Sequence, residues 1–186
     1  MRFVSGPAFV SMTGSGPRGH VSLSGLDSIA TITLGGSVAR GVVLAGTLQA
    51  SSVTAKFKGG PFIGESVTSN GQTLAASSKA TAEIAEFGLL VDWYPNPSAG
   101  WHAGLSGGLA FTSIVNQADD STMFGTGLVG SLFGGYDWAI GRQWSIGLGL
   151  VAMGSTPATM KDKDGTNAGY RLRSFSLGLG ASILYF

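Results

Sequence analysis

The sequence predicts an all-β fold. Residues 1–186 form one domain, an eight-stranded, antiparallel, up-and-down transmembrane β-barrel with short turns at one end and longer loops at the other. Three observations lead there. Apolar residues alternate with Gly and Ser in a period of two, which is a strand pattern. Long polar connections alternate with short ones along the chain. All four Trp (Trp93, Trp101, Trp138 and Trp144) flank two of the short connections and share the parity of the greasy face.

Composition narrows the class. Of 186 residues 31 are Gly, only 11% are charged, and the mean hydropathy is +0.29. A net charge of +1 supplies no polybasic surface, so no nucleic-acid partner is expected. Cys is absent, which excludes disulfides and thiolate metal sites. No run of 18 or more apolar residues could make a spanning helix, and each Gly would cost a helix about 1 kcal/mol. The start, MRFVSGPAFV, lacks the apolar core and cleavage pattern of an export signal. An exported barrel needs one, so a removed leader is expected.

The first strand falls within 3–13, where Phe9, Val10 and Met12 are apolar and Pro7 suggests an irregular start or an edge. Residues 14–27 read as a loop. The second strand covers 28–38, a tight turn 39–41, and the third strand 42–53. A long polar loop, 54–79, contains the turn signal Asn70-Gly71. The fourth strand runs from about residue 80 to 94, followed by the short turn 95–99. The fifth covers 100–112, and 113–122 is a loop. Strands six and seven form one hairpin within 128–153. The loop 155–169 leads to strand eight, 170–186.

In that hairpin Leu128, Leu132, Tyr136 and Trp138 share one parity, and Trp144, Ile146, Leu148 and Leu150 continue it after the turn. The opposite face is mostly Gly and Ser. A soluble barrel hides its large apolar side chains, so the greasy face points outward into lipid. Leu105, Leu109, Leu148, Leu150, Leu177 and Leu179 are therefore expected to face lipid, and the four Trp to form an aromatic girdle beside the short turns. Closure follows because lipid cannot satisfy an open sheet edge.

The stretches ITLGGSVARGVVLAG, LLVDWYPNPSAGWHAG and FGGYDWAIGRQWSIG, with the terminal Phe186, carry a resemblance. The chain resembles the small eight-stranded outer-membrane β-barrels of Gram-negative bacteria, the OmpA/OmpX/OmpW-like group, and more narrowly a family of predicted bacterial outer-membrane barrels. The resemblance implies an outer-membrane location, with the short turns periplasmic and the long loops extracellular. It implies contact with outer-membrane lipid and, during assembly, with the outer-membrane insertion machinery, which reads a terminal Phe. It implies no cofactor, and a monomer is favoured.

Candidate chemistry is sparse. His20, Ser22 and Asp27 have the residue types of a hydrolase set, yet a Gly/Ser-rich loop produces such spacing by chance. Asp119-Asp120 reads as a solvated loop tip. Asp162-Lys163-Asp164-Gly165 lacks the glutamate a calcium loop needs and reads as a turn. No catalytic, cofactor or metal residue is therefore assigned. Asp92, His102 and Asp137 share inward parity near the short turns and are the candidate periplasmic mouth of the lumen. Small inward residues such as Gly104, Gly108, Gly147, Gly149, Gly178 and Gly180 predict unfilled volume toward the outer half. Gln49, Glu86, Leu90 and Phe133 are the larger inward candidates. Arg171 and Arg173 share parity with Phe175 and are candidates for contact with lipopolysaccharide phosphates. The expected role is non-enzymatic: a structural scaffold, or a narrow channel or pocket for small, apolar molecules. The alternatives are a lipid-modifying enzyme and a soluble lipocalin-like binder.

Overall fold

The computed structural model describes residues 1–16, 19–56, 67–69, 72–74, 79–116, 122–162, 164–165 and 167–185. Its strands are β1 (Arg2–Gly16), β2 (Gly19–Ala39), β3 (Val42–Lys56), β4 (Val67–Ser69), β5 (Gln72–Leu74), β6 (Lys79–Trp93), β7 (Trp101–Asn116), β8 (Thr122–Ala139), β9 (Trp144–Ser155), β10 (Ala158–Asp162) and β11 (Asn167–Tyr185). All but β4 and β5 belong to one antiparallel sheet, and β1 pairs with β11 to close it. β9 and β10 both lie between β8 and β11, one after the other, so they share a single place in the wall. The ring thus has the eight places the sequence predicts.

The period-two pattern decides which face is which. Along β11, Phe175, Leu177, Leu179, Ile183 and Tyr185 are exposed, while Ser174, Ser176 and Ser182, at the alternate positions, are buried. All six leucines expected to face lipid are exposed, from Leu179 at 60% to Leu177 at 48%. From Phe175 to Tyr185 the row rises about 24 Å for a strand tilted ~45°, the height of a bilayer's hydrocarbon band. A closed sheet girdled by such a belt has no unpaired edge and fits a membrane, where every backbone group must be satisfied internally. Strands, not helices, make the crossing.

Two of the short turns depend on glycine. Gly41 (φ 75°) and Gly100 (φ 78°) adopt the left-handed conformation that favours glycine. A Cβ on Gly41 would come within 2.3 Å of the Tyr94 carbonyl oxygen, and one on Gly100 within 2.2 Å of that of Asp137. Those neighbours are hydrogen-bonded in return: Tyr94 N–H donates to Gly41 at 2.7 Å, and Asp137 N–H to Gly100 at 3.0 Å.

The structure corrects several sequence expectations. Residues 14–27 are largely strand. Val21 and Leu23 point inward and are buried, and Leu26 points outward, 80% exposed. Gly and Ser obscure the alternation there, but ladder partners on β1 hold the segment extended. Pro7 lies at no edge: β1 is bonded on both sides, and its ladder with β11 passes from Ser5↔Ala181 to Ala8↔Gly178. The loop expected over 155–169 contains β10. Within 54–79, β4 and β5 pair around Asn70-Gly71, which itself lies outside the described residues, as does most of that loop.

Candidate functional site: the closed lumen

At the short-turn end the barrel interior is shut by an ionic cluster. Asp92 lies near the end of β6, His102 near the start of β7 and Asp137 near the end of β8, so three neighbouring strands deliver them at one depth. The expected triad does come together, around a residue that the sequence reading did not single out. Arg2, at the start of β1, reaches across from the far wall. Its guanidinium donates to Asp92 Oδ2 at 2.7 Å, to the Tyr94 hydroxyl at 2.6 Å, and to Asp137 Oδ2. A planar fork of five donors can serve two carboxylates at once, which a lysine could not match in geometry. Tyr94 in turn donates to Asp137 Oδ2 at 2.7 Å. His102 Nδ1 lies 2.9 Å from Asp92 Oδ1, and its ring stacks on Tyr94 with centroids 5.1 Å apart. Ser182 donates to Asp137 Oδ1 at 3.3 Å.

Arg2, Asp92 and Asp137 are all buried. Ionised groups in such a place require partners, because taking one out of water unpaired costs several kcal/mol, and here each charge has an opposite one in contact. Tyr94 sits just past the end of β6. Burial pushes its phenol above the ordinary 10.0, the two carboxylates add to the rise, and Arg2 opposes it, so the hydroxyl stays a donor. Parity was the available signal for both missed residues. Arg2 shares the inward parity of Val10, and Tyr94 that of Asp92.

A second polar layer lies deeper. Glu86, fully buried, accepts from Ser106 at 2.7 Å and from Ser131 at 3.0 Å. Gln49 accepts from Thr31 at 3.1 Å and donates to Ser131 at 3.2 Å and to the Met153 sulfur at 2.9 Å. Between the two layers is a cavity of ≈ 40 Å³ lined in part by Arg2, Thr31, Thr33, Gln49, Leu90 and Phe133. A space of this size holds a few waters at most.

Beyond Glu86 the lumen is mostly apolar and packed, with Ser51, Thr112 and Ser176 buried among the aliphatic side chains. Val10, Leu23, Val53, Ile84, Met153 and Met160, one each from β1, β2, β3, β6, β9 and β10, are all essentially inaccessible to water. The cavity expected toward the outer half lies instead on the other side of Glu86, and Gly149 and Gly180, two of the small inward residues that predicted it, are part of its lining. At other inward glycines larger neighbours take up the space. A Cβ on Gly104 would meet the Phe133 ring at 2.3 Å, and one on Gly147 the Asp137 carboxylate at 2.2 Å.

The remaining candidates are placed as follows. Trp93, Trp101, Trp138 and Trp144 are exposed beside the short turns. Tyr136 packs against both Trp101 and Trp138, at 5.0 and 4.9 Å, and Tyr185 against Trp144 at 4.9 Å. Arg171 and Arg173 are exposed at the other end of β11, above Phe175. His20 is exposed on the outer face and Asp27 takes the inward parity of Ile29, so the hydrolase-like set does not converge. Gly165 has φ 79°, as a turn requires; Asp119-Asp120 lies outside the described residues.

Two solved structures share this architecture along nearly their whole length. Neisserial surface protein A is 13% identical, with a TM-score of 0.51, over 100% of this chain and 97% of its own. The outer membrane protease OmpT from Escherichia coli is 6% identical, with a TM-score of 0.53, over 100% of this chain and 95% of its own. The fold is that of the bacterial outer-membrane β-barrels. At these identities the likeness extends to the fold alone, and an outer-membrane-type barrel can serve quite different ends. No protein-family model matches the chain, and no curated protein matches it in sequence.

Proposed function

We propose that the protein is an integral outer-membrane barrel that conducts nothing in its resting state and serves as a rigid, non-enzymatic scaffold for its long outer connections. The observation that carries this reading is the double closure of the lumen. The Arg2–Asp92–Asp137 cluster fills the periplasmic mouth, and an apolar plug fills the outer half. A hydrated ion would have to part the first and dehydrate to enter the second. The cavity between them supports a second reading, a narrow pathway that opens when the cluster rearranges.

Reconstitution in planar bilayers separates the two. The wild type is expected to show no stepwise ion conductance across ±100 mV, a conventional range of about 2.3 kcal/mol per charge at each limit. Arg2→Ala alone should also stay silent, because the apolar half is untouched. Reproducible conductance steps from the wild type would refute the scaffold reading and favour the channel.

A further inference from the structure

The cavity between the two polar layers is bordered by two ladder rows. In the first, Arg2 on β1 pairs with Thr33 on β2, and Thr33 with Thr47 on β3. In the second, one step deeper, Val4 pairs with Thr31, Thr31 with Gln49, and Gln49 with Glu86. Arg2, Thr31, Thr33 and Gln49 give the cavity a polar lining, and Leu90 and Phe133 add apolar wall.

Two buried donors of the first row have no partner among the described residues. Arg2 commits both terminal nitrogens to Asp92, Tyr94 and Asp137. Its Nε–H is left over, on a side chain only 9% exposed. The buried Thr47 hydroxyl, beside Thr33, is the second. A buried donor left unmet is costly, because it has lost its water and gained nothing in return. On the far side of the cavity an acceptor has capacity to spare. The Gln49 side-chain carbonyl takes one hydrogen bond, from Thr31, and a carbonyl oxygen can take two.

Charge and size select what fits. Two carboxylates already flank the guanidinium, so an anion beside Nε would face like charge. A cation would meet the positive Nε–H head on. The occupant is therefore neutral, accepts from Nε–H and donates to Gln49. The ≈ 40 Å³ available has room for about one to three waters, each of which needs two or more polar partners.

We propose that the cavity is a binding site for a small ordered water cluster, anchored by Arg2 Nε–H and ending on Gln49. The cluster joins the two polar layers into one network, because Gln49 donates to Ser131 at 3.2 Å and Ser131 to Glu86 at 3.0 Å. Hydration thereby extends from the short-turn mouth to the Glu86 layer and stops at the packed side chains beyond it. The site goes beyond the scaffold reading and does not depend on it.

Nuclear magnetic resonance of the detergent-solubilised barrel, carrying isotope-labelled arginine, tests this through cross-relaxation between the Arg2 Nε–H proton and water. The wild type should show a cross-peak at the water frequency with the sign of a long-lived contact. Thr33→Val removes a hydroxyl at nearly constant volume and should keep the cross-peak. Thr33→Leu fills the space and should abolish it, with folding checked by heat-modifiable gel migration. Absence of the cross-peak in the wild type, or its undiminished presence in the folded Thr33→Leu variant, would overturn the proposal. Where solvent exchange broadens the Arg2 signal, a high-resolution crystal structure decides instead. Peaks of density within hydrogen-bond reach of Nε are expected, and flat density there would sink the idea. None of these outcomes bears on the conductance test.

Discussion

The two halves of the lumen close by different physics. The short-turn half depends on one guanidinium shared by two carboxylates, with partners 90 and 135 residues away in the chain. The outer half depends on apolar side chains contributed by six strands, none of which is indispensable. Charge–charge closure is specific and concentrated: removing one group strands the others in a poorly solvating interior. Hydrophobic closure is distributed, and losing one side chain leaves a void that its neighbours partly relax into. The first half is accordingly brittle and the second tolerant.

The largest effect should come from Arg2→Ala. It leaves Asp92 and Asp137 buried and facing each other without a cation, a loss of about 3–5 kcal/mol. Urea titration in detergent, read by heat-modifiable migration, would measure it. Asp92→Asn and Asp137→Asn, added together to Arg2→Ala, should recover much of the loss. A triple variant no more stable than Arg2→Ala would show that the cluster is not an electrostatic unit.

Ile84→Ala probes the other half. Ile84 is fully buried in the plug, and its truncation should cost about 2–4 kcal/mol through lost burial and a residual cavity. The expected contrast lies in repair. A neighbouring enlargement such as Val53→Ile should regain part of the Ile84→Ala loss, whereas no single apolar change should rescue Arg2→Ala. Rescue of both, or of neither, would remove the distinction between the halves.

Tyr94→Phe sharpens the contrast with a smaller change. It removes one hydroxyl that bridges Arg2 and Asp137, for a loss of about 1.5–3 kcal/mol at neutral pH. Its pH dependence is the more telling readout. The unfolded phenol loses its proton near 10.0, while the half-buried phenol in the folded barrel holds it to higher pH. Above that point folding takes up a proton, so wild-type stability falls as pH rises, and below it the contribution is complete. The Phe variant lacks this group's share of the alkaline loss. Identical alkaline profiles for the two proteins would show that Tyr94 is not held protonated by the fold.

The sequence by itself determined what depends on near neighbours. The period of two set the outward leucines, the Trp beside the short turns and the inward parity of Asp92, His102 and Asp137, because side-chain direction in a strand is fixed by counting. Alternating connection lengths set the number of places in the ring. The tertiary structure decided how far strands extend and what fills the lumen. Residues 19–27 look like a loop because Gly and Ser carry little hydrophobic signal, yet β1 supplies ladder partners that hold them extended. Arg2 looks like an isolated charge until closure of β1 on β11 brings it opposite β6 and β8. Gly104 and Gly147 look like empty volume until Phe133 and Asp137 reach into it from neighbouring strands, while Gly149 and Gly180 do line a small cavity. Parity places a residue on one face of its own strand. Which residue it meets across the barrel depends on closure and on the accumulated stagger of eight strands, and neither is written in any local stretch.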